Sequence, residues 1–169
     1  MFERYLHFSH YQSIVKDSRM RRPKRTRSII NPHPNLDFAS STRDLIRKLG
    51  QPSLKLSPQN TSSEQLYLYR REISGYKVNF EFHLHEDQLY YTRHIFRHTS
   101  AKETELIIKA IGKKYSEDAT FNDRQDKIID QQGNELIINR GLYLSIDYLY
   151  AQGTTLREFQ APEAVYAMA

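Results

Sequence analysis

The chain contains no cysteine and no tryptophan. Without cysteine there are no disulfides, no thiolate-ligated zinc, no iron–sulfur clusters and no cysteine nucleophile. That fits a reducing compartment. Glycine is scarce, with six residues in 169. None of them forms a G-x-x-x-x-G-K, G-x-G-x-x-G or G-x-S-x-G pattern, so neither a phosphate-cradling loop nor a nucleophile elbow has support. No apolar run approaches the roughly 20 residues of a membrane span. The opening MFERYLHFSHYQSIV lacks the charged and apolar regions of a secretory signal. A cytoplasmic protein is the expectation, which a start further upstream would change.

What is present suits one soluble domain. Hydrophobic residues make up 38% and charged residues 27%, and a chain of this length can bury a core without covalent staples. Twelve tyrosines and eight phenylalanines suit half-buried strands. The net charge of +5 is uneven. Lys16 to Arg27 holds seven bases (Lys16, Arg19, Arg21, Arg22, Lys24, Arg25, Arg27) and one acid, Asp17; the rest has 18 bases and 19 acids. The distribution reads as a near-neutral domain carrying a basic arm.

Residues 1–17 carry a broken apolar stripe, Phe2, Tyr5, Leu6, Ile14 and Val15, that suits a short helix. Residues 18–40 read as extended, because Asn31-Pro32-His33-Pro34 forbids a continuous helix. The expected organisation is a basic N-terminal arm over 1–35, a domain over 36–150 and a tail over 151–169. Ser41 with Asp44 forms a capping box for a helix at 41–49, which buries Leu45, Ile46 and Leu49 and ends at Gly50-Gln51-Pro52. Strands follow at 65–73, 76–85 and 88–96, joined by Ser74-Gly75 and Glu86-Asp87. Ser100 and Glu103 cap a second helix at 101–111, with Leu106, Ile107, Ala110 and Ile111 inward and Gly112 as its end. Further strands fall at 127–130, 135–139 and 142–150.

The expected fold is α+β: an antiparallel sheet of about six strands in αβββ–αβββ order, with two helices on one face. Leu45-Ile46-Arg47-Lys48-Leu49-Gly50 and Ile107-Ile108-Lys109-Ala110-Ile111-Gly112 look alike and suggest an internal duplication. The pattern Thr42-x-x-Leu45-x-x-x-Leu49-Gly50-x-Pro52, followed by a Tyr-rich hairpin, resembles the αβββ unit of SmpA-type outer-membrane lipoproteins and β-lactamase-inhibitor-protein-like domains. The resemblance covers residues 40–96 and implies a binding or assembly module rather than an enzyme. The chain departs from the lipoprotein pattern in having no lipobox cysteine.

Candidate chemistry is sparse. His83, His85, His94 and His98 cluster in sequence, but two-residue turns set residue 83 opposite 90 and residue 94 opposite 79. His83 and His94 then share a face several residues apart, so neither a metal site nor a bound cofactor is expected. Glu81, Glu86 and Asp87 lie near one hairpin, but no pocket is evident to shift their pKa values. The same register places Tyr67 and Tyr69 beside Phe82 and Phe80 on the core side. Leu66, Leu68, Glu81, His83 and Tyr90 converge on the outer face. That patch, apolar at its centre and polar at its rim, is the candidate surface for a protein partner or a homodimer.

The leading expectation is a non-catalytic binding or protein-interaction module. The alternative is a nucleic-acid-associated protein using Arg21, Arg22, Lys24, Arg25 and Arg27 of the arm, where no aromatic residue supplies base stacking. An enzyme with an unfamiliar site ranks third.

Overall fold

The computed structural model describes residues 8–57, 63–116 and 120–151. The tail expected over 151–169 lies, apart from Ala151, outside the described residues, as do Phe2, Tyr5 and Leu6. Among the described residues, helix α1 is Phe8–Met20, α2 is Thr42–Leu49 and α3 is Ala101–Tyr115. The strands are β1 (Arg22–Arg25), β2 (Leu54–Leu56), β3 (Glu64–Ile73), β4 (Tyr76–His85), β5 (Gln88–Arg97), β6 (Asp126–Ile129), β7 (Glu135–Arg140) and β8 (Leu144–Leu149). All eight form one sheet in the order β1-β6-β7-β8-β5-β4-β3-β2. β1 pairs with β6 in parallel, and every other pair is antiparallel. The α+β class stands, but an all-antiparallel sheet of six strands with two helices does not. The sheet is mixed, and it has eight strands and three helices.

The difference arises mainly in the basic segment. Tyr11, Ile14 and Val15 follow the i, i+3, i+4 spacing of a helix face. They pack α1 against Leu66, Tyr90, Tyr91, Ile137 and Leu149 on one side of the sheet. Arg22–Arg25 then adds the parallel edge strand, with Arg22 N–H donating to Gln125 O at 2.9 Å and Thr26 N–H to Ile129 O at 2.9 Å. Its bases are partly consumed internally. Arg22 pairs with Asp126 at 2.9 Å, and Arg21 reaches Asp123 O at 2.7 Å and Asn139 Oδ1 at 3.1 Å. Both sheet edges are blunted against further pairing. β1 carries Pro23 and three cations, and β2 is three residues long with Lys55 at its centre.

The opposite side is covered by α2, α3 and the segment between β1 and α2. Both helices carry the expected Ser41/Asp44 and Ser100/Glu103 capping boxes. The carboxyls of Asp44 and Glu103 are held below their usual range chiefly by bonds from the capping serines. α3 runs through Gly112 to Tyr115. Its inward residues are Ile107, Ile108 and Tyr115, while Leu106, expected inside, is exposed. Ile30 sits in the α3 cluster and Leu36 in the α2 cluster. His94 pins the crossing segment: its Nε2 donates to Pro32 O at 2.8 Å, with its ring 4.6 Å from those of Phe80 and Tyr148.

The two meanders, β3-β4-β5 and β6-β7-β8, meet last strand to last strand, β5 against β8. Ser74-Gly75 and Glu86-Asp87 have positive φ at both residues, the signature of two-residue type I′ turns. Tyr67 pairs with Phe82, Tyr69 with Phe80, Leu66 with His83 and Leu68 with Glu81, as the turn spacing requires. A bulge between His83 and Leu84 then shifts the β4–β5 register, so His83 faces Tyr91 and His94 faces Phe80. His83 and His94 therefore lie on opposite faces, not on one. A single inserted residue inverts every side chain beyond it.

The boundary drawn at residue 35 falls inside this fold. Burying a large apolar side chain contributes about 1.5–3 kcal/mol, and Tyr11, Ile14, Val15 and Ile30 are all buried. A chain beginning at Leu36 is expected to lose more than about 5 kcal/mol on that scale, read as loss of the cooperative urea transition by circular dichroism. An unchanged transition would show that residues 8–35 only lean on the sheet.

Burial lowers the pKa of His33 and His83, and brings that of His94 down to about 3. Above pH 6.5 both folded and unfolded states are neutral at these positions. Below it the unfolded chain takes up protons that the folded chain refuses, so stability falls with pH until the folded pKa is reached. The expected slope is up to about 1.4 kcal/mol per pH unit for each of the buried His83 and His94, and smaller for the half-exposed His33, where solvent screens the effect. It should show in urea midpoints between pH 7 and 5, and His94→Gln should flatten it. An equal slope in that variant would place the effect elsewhere.

Candidate sheet-end groove

The register sets the α1-side face of the sheet in rows that cross five strands, β3-β4-β5-β8-β7. The first row is Leu66, His83, Tyr91, Leu149 and Glu135; the second is Leu68, Glu81, Arg93, Asp147 and Ile137. The third is Arg70, Asn79, Ile95, Ser145 and Asn139, and a shorter fourth holds Glu72, Lys77 and Arg97. Chemistry grades along the strands, from aromatic and apolar under α1, through buried charge, to an open polar row with a cationic rim.

The expected partner patch belongs to the first two rows, with Tyr90 at the bulge beside them, and is closed. Leu66, Leu68, Glu81, His83 and Tyr90 are all 2% exposed or less. α1 lies over part of it: the Tyr11 hydroxyl and His83 Nδ1 share a 2.9 Å hydrogen bond. The Tyr11 ring also sits 6.2 Å from Tyr90 and 6.4 Å from Tyr91. Burial raises the pKa of Tyr11 and Tyr90 and lowers that of His83, so all three are held neutral. His85 Nδ1 is in hydrogen-bond contact with the Glu64 carboxylate. Among the described residues no three His, Asp or Glu side chains converge as a metal site would require.

The second row carries a buried ion pair. Arg93 Nε donates to Asp147 Oδ1 at 2.6 Å and Nη2 to Oδ2 at 2.9 Å. Asp147 also accepts from the Tyr91 hydroxyl at 2.7 Å and Asn139 Nδ2 at 2.6 Å. Arg93 is thereby neutralised, and Asn139 is turned so that its Oδ1 receives Arg21.

Beyond this row the sheet opens into a groove of about 460 Å³, lined by Asn79, Arg93, Ile95, Arg97, Asn139, Ser145 and the β7–β8 turn Gly141-Leu142-Tyr143. Arg97 differs from Arg93. It makes no hydrogen bond or ion pair among the described residues, and its Nε is buried without a partner. Its guanidinium lies 5.9 Å from the centre of the Tyr143 ring. Lys77, Arg70 and Arg71 continue the cationic rim, with Glu72 as the single acid. Among the described residues the groove lining contains no carboxylate and no imidazole. The arrangement can hold a ligand by charge and hydrogen bonds but offers no general acid–base pair.

Of the five arm residues considered for nucleic acid, Arg21 and Arg22 are engaged as described above. Lys24 donates to Thr120 at 3.1 Å, and Arg27 is also engaged within the chain. Only Arg25 projects without a side-chain partner among the described residues. Arg97 and Asn79, which the sequence reading passed over, gain their meaning from register alone. The alternation of YKVNFEFHLH was the one signal that could place Asn79 opposite the core side. Among the described residues no helix is long and apolar enough to cross a membrane. Comparison with protein-family models, curated proteins and solved structures returns no match.

The two arginines should respond differently to removal of charge. Asp147→Ala removes the bidentate partner of the buried Arg93 guanidinium and is expected to cost about 3–5 kcal/mol. Arg97→Ala removes no intramolecular bond and should stay within about 1 kcal/mol of the parent. Urea denaturation of both variants measures the contrast, and a large loss for Arg97→Ala would make Arg97 a structural residue.

Proposed function

We propose that this chain is a non-catalytic binding domain that holds an anionic ligand in the sheet-end groove. The observation that carries this reading is Arg97: a cation with a buried, unpartnered Nε, lining a groove that contains no acid among the described residues. A buried donor left unsatisfied costs about 1–3 kcal/mol. An acceptor on a ligand recovers that free energy, and the attraction is strengthened where water is partly excluded. Among the groups whose pKa burial shifts, His83, His94, Tyr11, Tyr90 and Tyr148 are sealed beneath α1 or on the opposite face. They are therefore unavailable to a substrate in the groove. The likeness of residues 40–96 to αβββ binding modules points the same way.

The probe is inorganic tripolyphosphate, a compact anion able to meet Arg97 and Lys77 together. Isothermal titration at about 50 mM salt should give one site, weakened at least tenfold, about 1.4 kcal/mol, in Arg97→Ala. Arg25→Ala, on the edge strand, should bind like the parent. Loss of binding in Arg25→Ala but not in Arg97→Ala would move the site back to the basic segment. Absence of any binding by the parent would remove the anion reading.

A further inference from the structure

The groove is the middle of three connected depressions. On one side it shares Asn79 and Arg97 with a hollow of about 330 Å³ that is also lined by Arg70, Arg71, Glu72, Lys77 and His98. On the other it shares Asn139 and Gly141 with one of about 290 Å³ lined by Arg21, Asp123, Arg124 and Arg140. The run crosses the sheet from β3 to β7. Four interstrand steps make it about 19 Å long at about 4.8 Å each. Its linings hold eight Lys/Arg and two acids, Glu72 and Asp123. The remainder of the chain then has 17 bases and 18 acids, so the excess positive charge of the protein lies along this path. Arg93 is neutralised by Asp147, Arg140 by Asp123 and Glu105, and Arg21 by Asp17. Arg70, Arg71, Lys77, Arg97 and Arg124 remain, at both ends of the run.

Its centre is different in kind. Asn79 is 6% and Ser145 9% exposed. Both line the groove, and neither side chain makes a hydrogen bond among the described residues. An asparagine amide offers one donor and one acceptor side by side, the complement of a nucleobase edge. Tyr143 and Arg97 beside it supply the aromatic and planar cationic surfaces on which bases stack. A purely acidic polypeptide would use the flanking cations and could meet the amide through its backbone, but it has no aromatic face to stack on Tyr143 and Arg97.

From this, and resting on the anion-binding reading above, we infer that the ligand is a short stretch of single-stranded nucleic acid. Its phosphates run along the flanking cations, and one base enters the centre against Asn79. The path lies in a depression crossed by strands, which suits a flexible single strand; a duplex presents its base edges only within its own grooves.

The test is fluorescence anisotropy on the full chain with labelled ten-nucleotide single strands of DNA and RNA, alongside a ten-base-pair duplex. Single strands should bind, with a log–log salt slope near −2.8 if about four phosphates are neutralised. The RNA and DNA arms show which backbone is preferred. Asn79→Ala should weaken the oligonucleotide at least tenfold and leave tripolyphosphate binding unchanged, whereas Lys77→Ala and Arg97→Ala should weaken both. Should Asn79→Ala fail to fold, Asn79→Asp retains the shape and should abolish oligonucleotide binding by adding a negative charge. Tripolyphosphate binding without oligonucleotide binding would overturn the inference and leave the anion site standing. Tighter binding of duplex, or equal competition by polyglutamate, would also overturn it. If neither tripolyphosphate nor oligonucleotide binds, both readings fall.

Discussion

Asp147 is the residue on which the α1-side face depends. Its two oxygens accept four hydrogen bonds, from Tyr91, from Arg93 twice and from Asn139. Those partners lie on β5 and β7, the two neighbours of β8 in the sheet. Through Asn139 the network reaches Arg21, at the junction of α1 and β1. One carboxylate thus couples the centre of the sheet to the segment that closes its edge. A buried pair of this kind gives little net stability over apolar packing, but a structure built around it tolerates the loss of neither member. It also divides the face: side chains on one side of the row are packed under a helix, and those on the other are exposed to a groove.

That division explains why α1 is a necessary part of the body. Both sides of the central strands carry large side chains, with Phe82 and Tyr69 toward α2, and Tyr91 and Leu66 toward α1. A sheet with two apolar faces needs cover on both. The basic run follows directly from α1, and its charge serves the edge it forms. Cations and Pro23 discourage a further strand from adding there, while Arg21 fixes the segment to the loop before β6 and Arg22 to the first residue of β6.

The capping boxes, both meander hairpins and the two-residue turns were legible in the sequence, because each is written within a few adjacent residues. The bulge at His83 was not, since Tyr90 and Tyr91 are both apolar and either could stand opposite His83. α1 was half legible: Ile14 and Val15 were seen, but Tyr11, which completes the i, i+3, i+4 face, was not counted. β1 was hidden by composition. Four residues reading Arg-Pro-Lys-Arg match no buried strand, and only an edge position tolerates them. Arg22 and Lys24 looked like free charge because their partners, Asp126 and Thr120, lie roughly a hundred residues away. The partner patch was placed on the correct side of the strands. Its exposure was a tertiary question that the local pattern does not answer.

The groove had no local signature for a related reason. Arg70, Asn79, Ile95, Ser145 and Asn139 come from five strands, one residue from each, and are neighbours only because the registers align. Each alone reads as an ordinary outward-facing strand residue. Together they form the first row that lies beyond the buried ion pair, where burying polar side chains without partners is unfavourable unless a ligand completes them. Asn79 and Ser145 line the groove with no side-chain hydrogen bond among the described residues, and Arg97 has a buried Nε without a partner. One buried donor without a partner, two polar side chains with no hydrogen bond among the described residues and a rim of uncompensated cations meet in one depression, and they are difficult to explain as surface chemistry selected for solubility. They are what a site looks like when its hydrogen-bond partners arrive with the ligand.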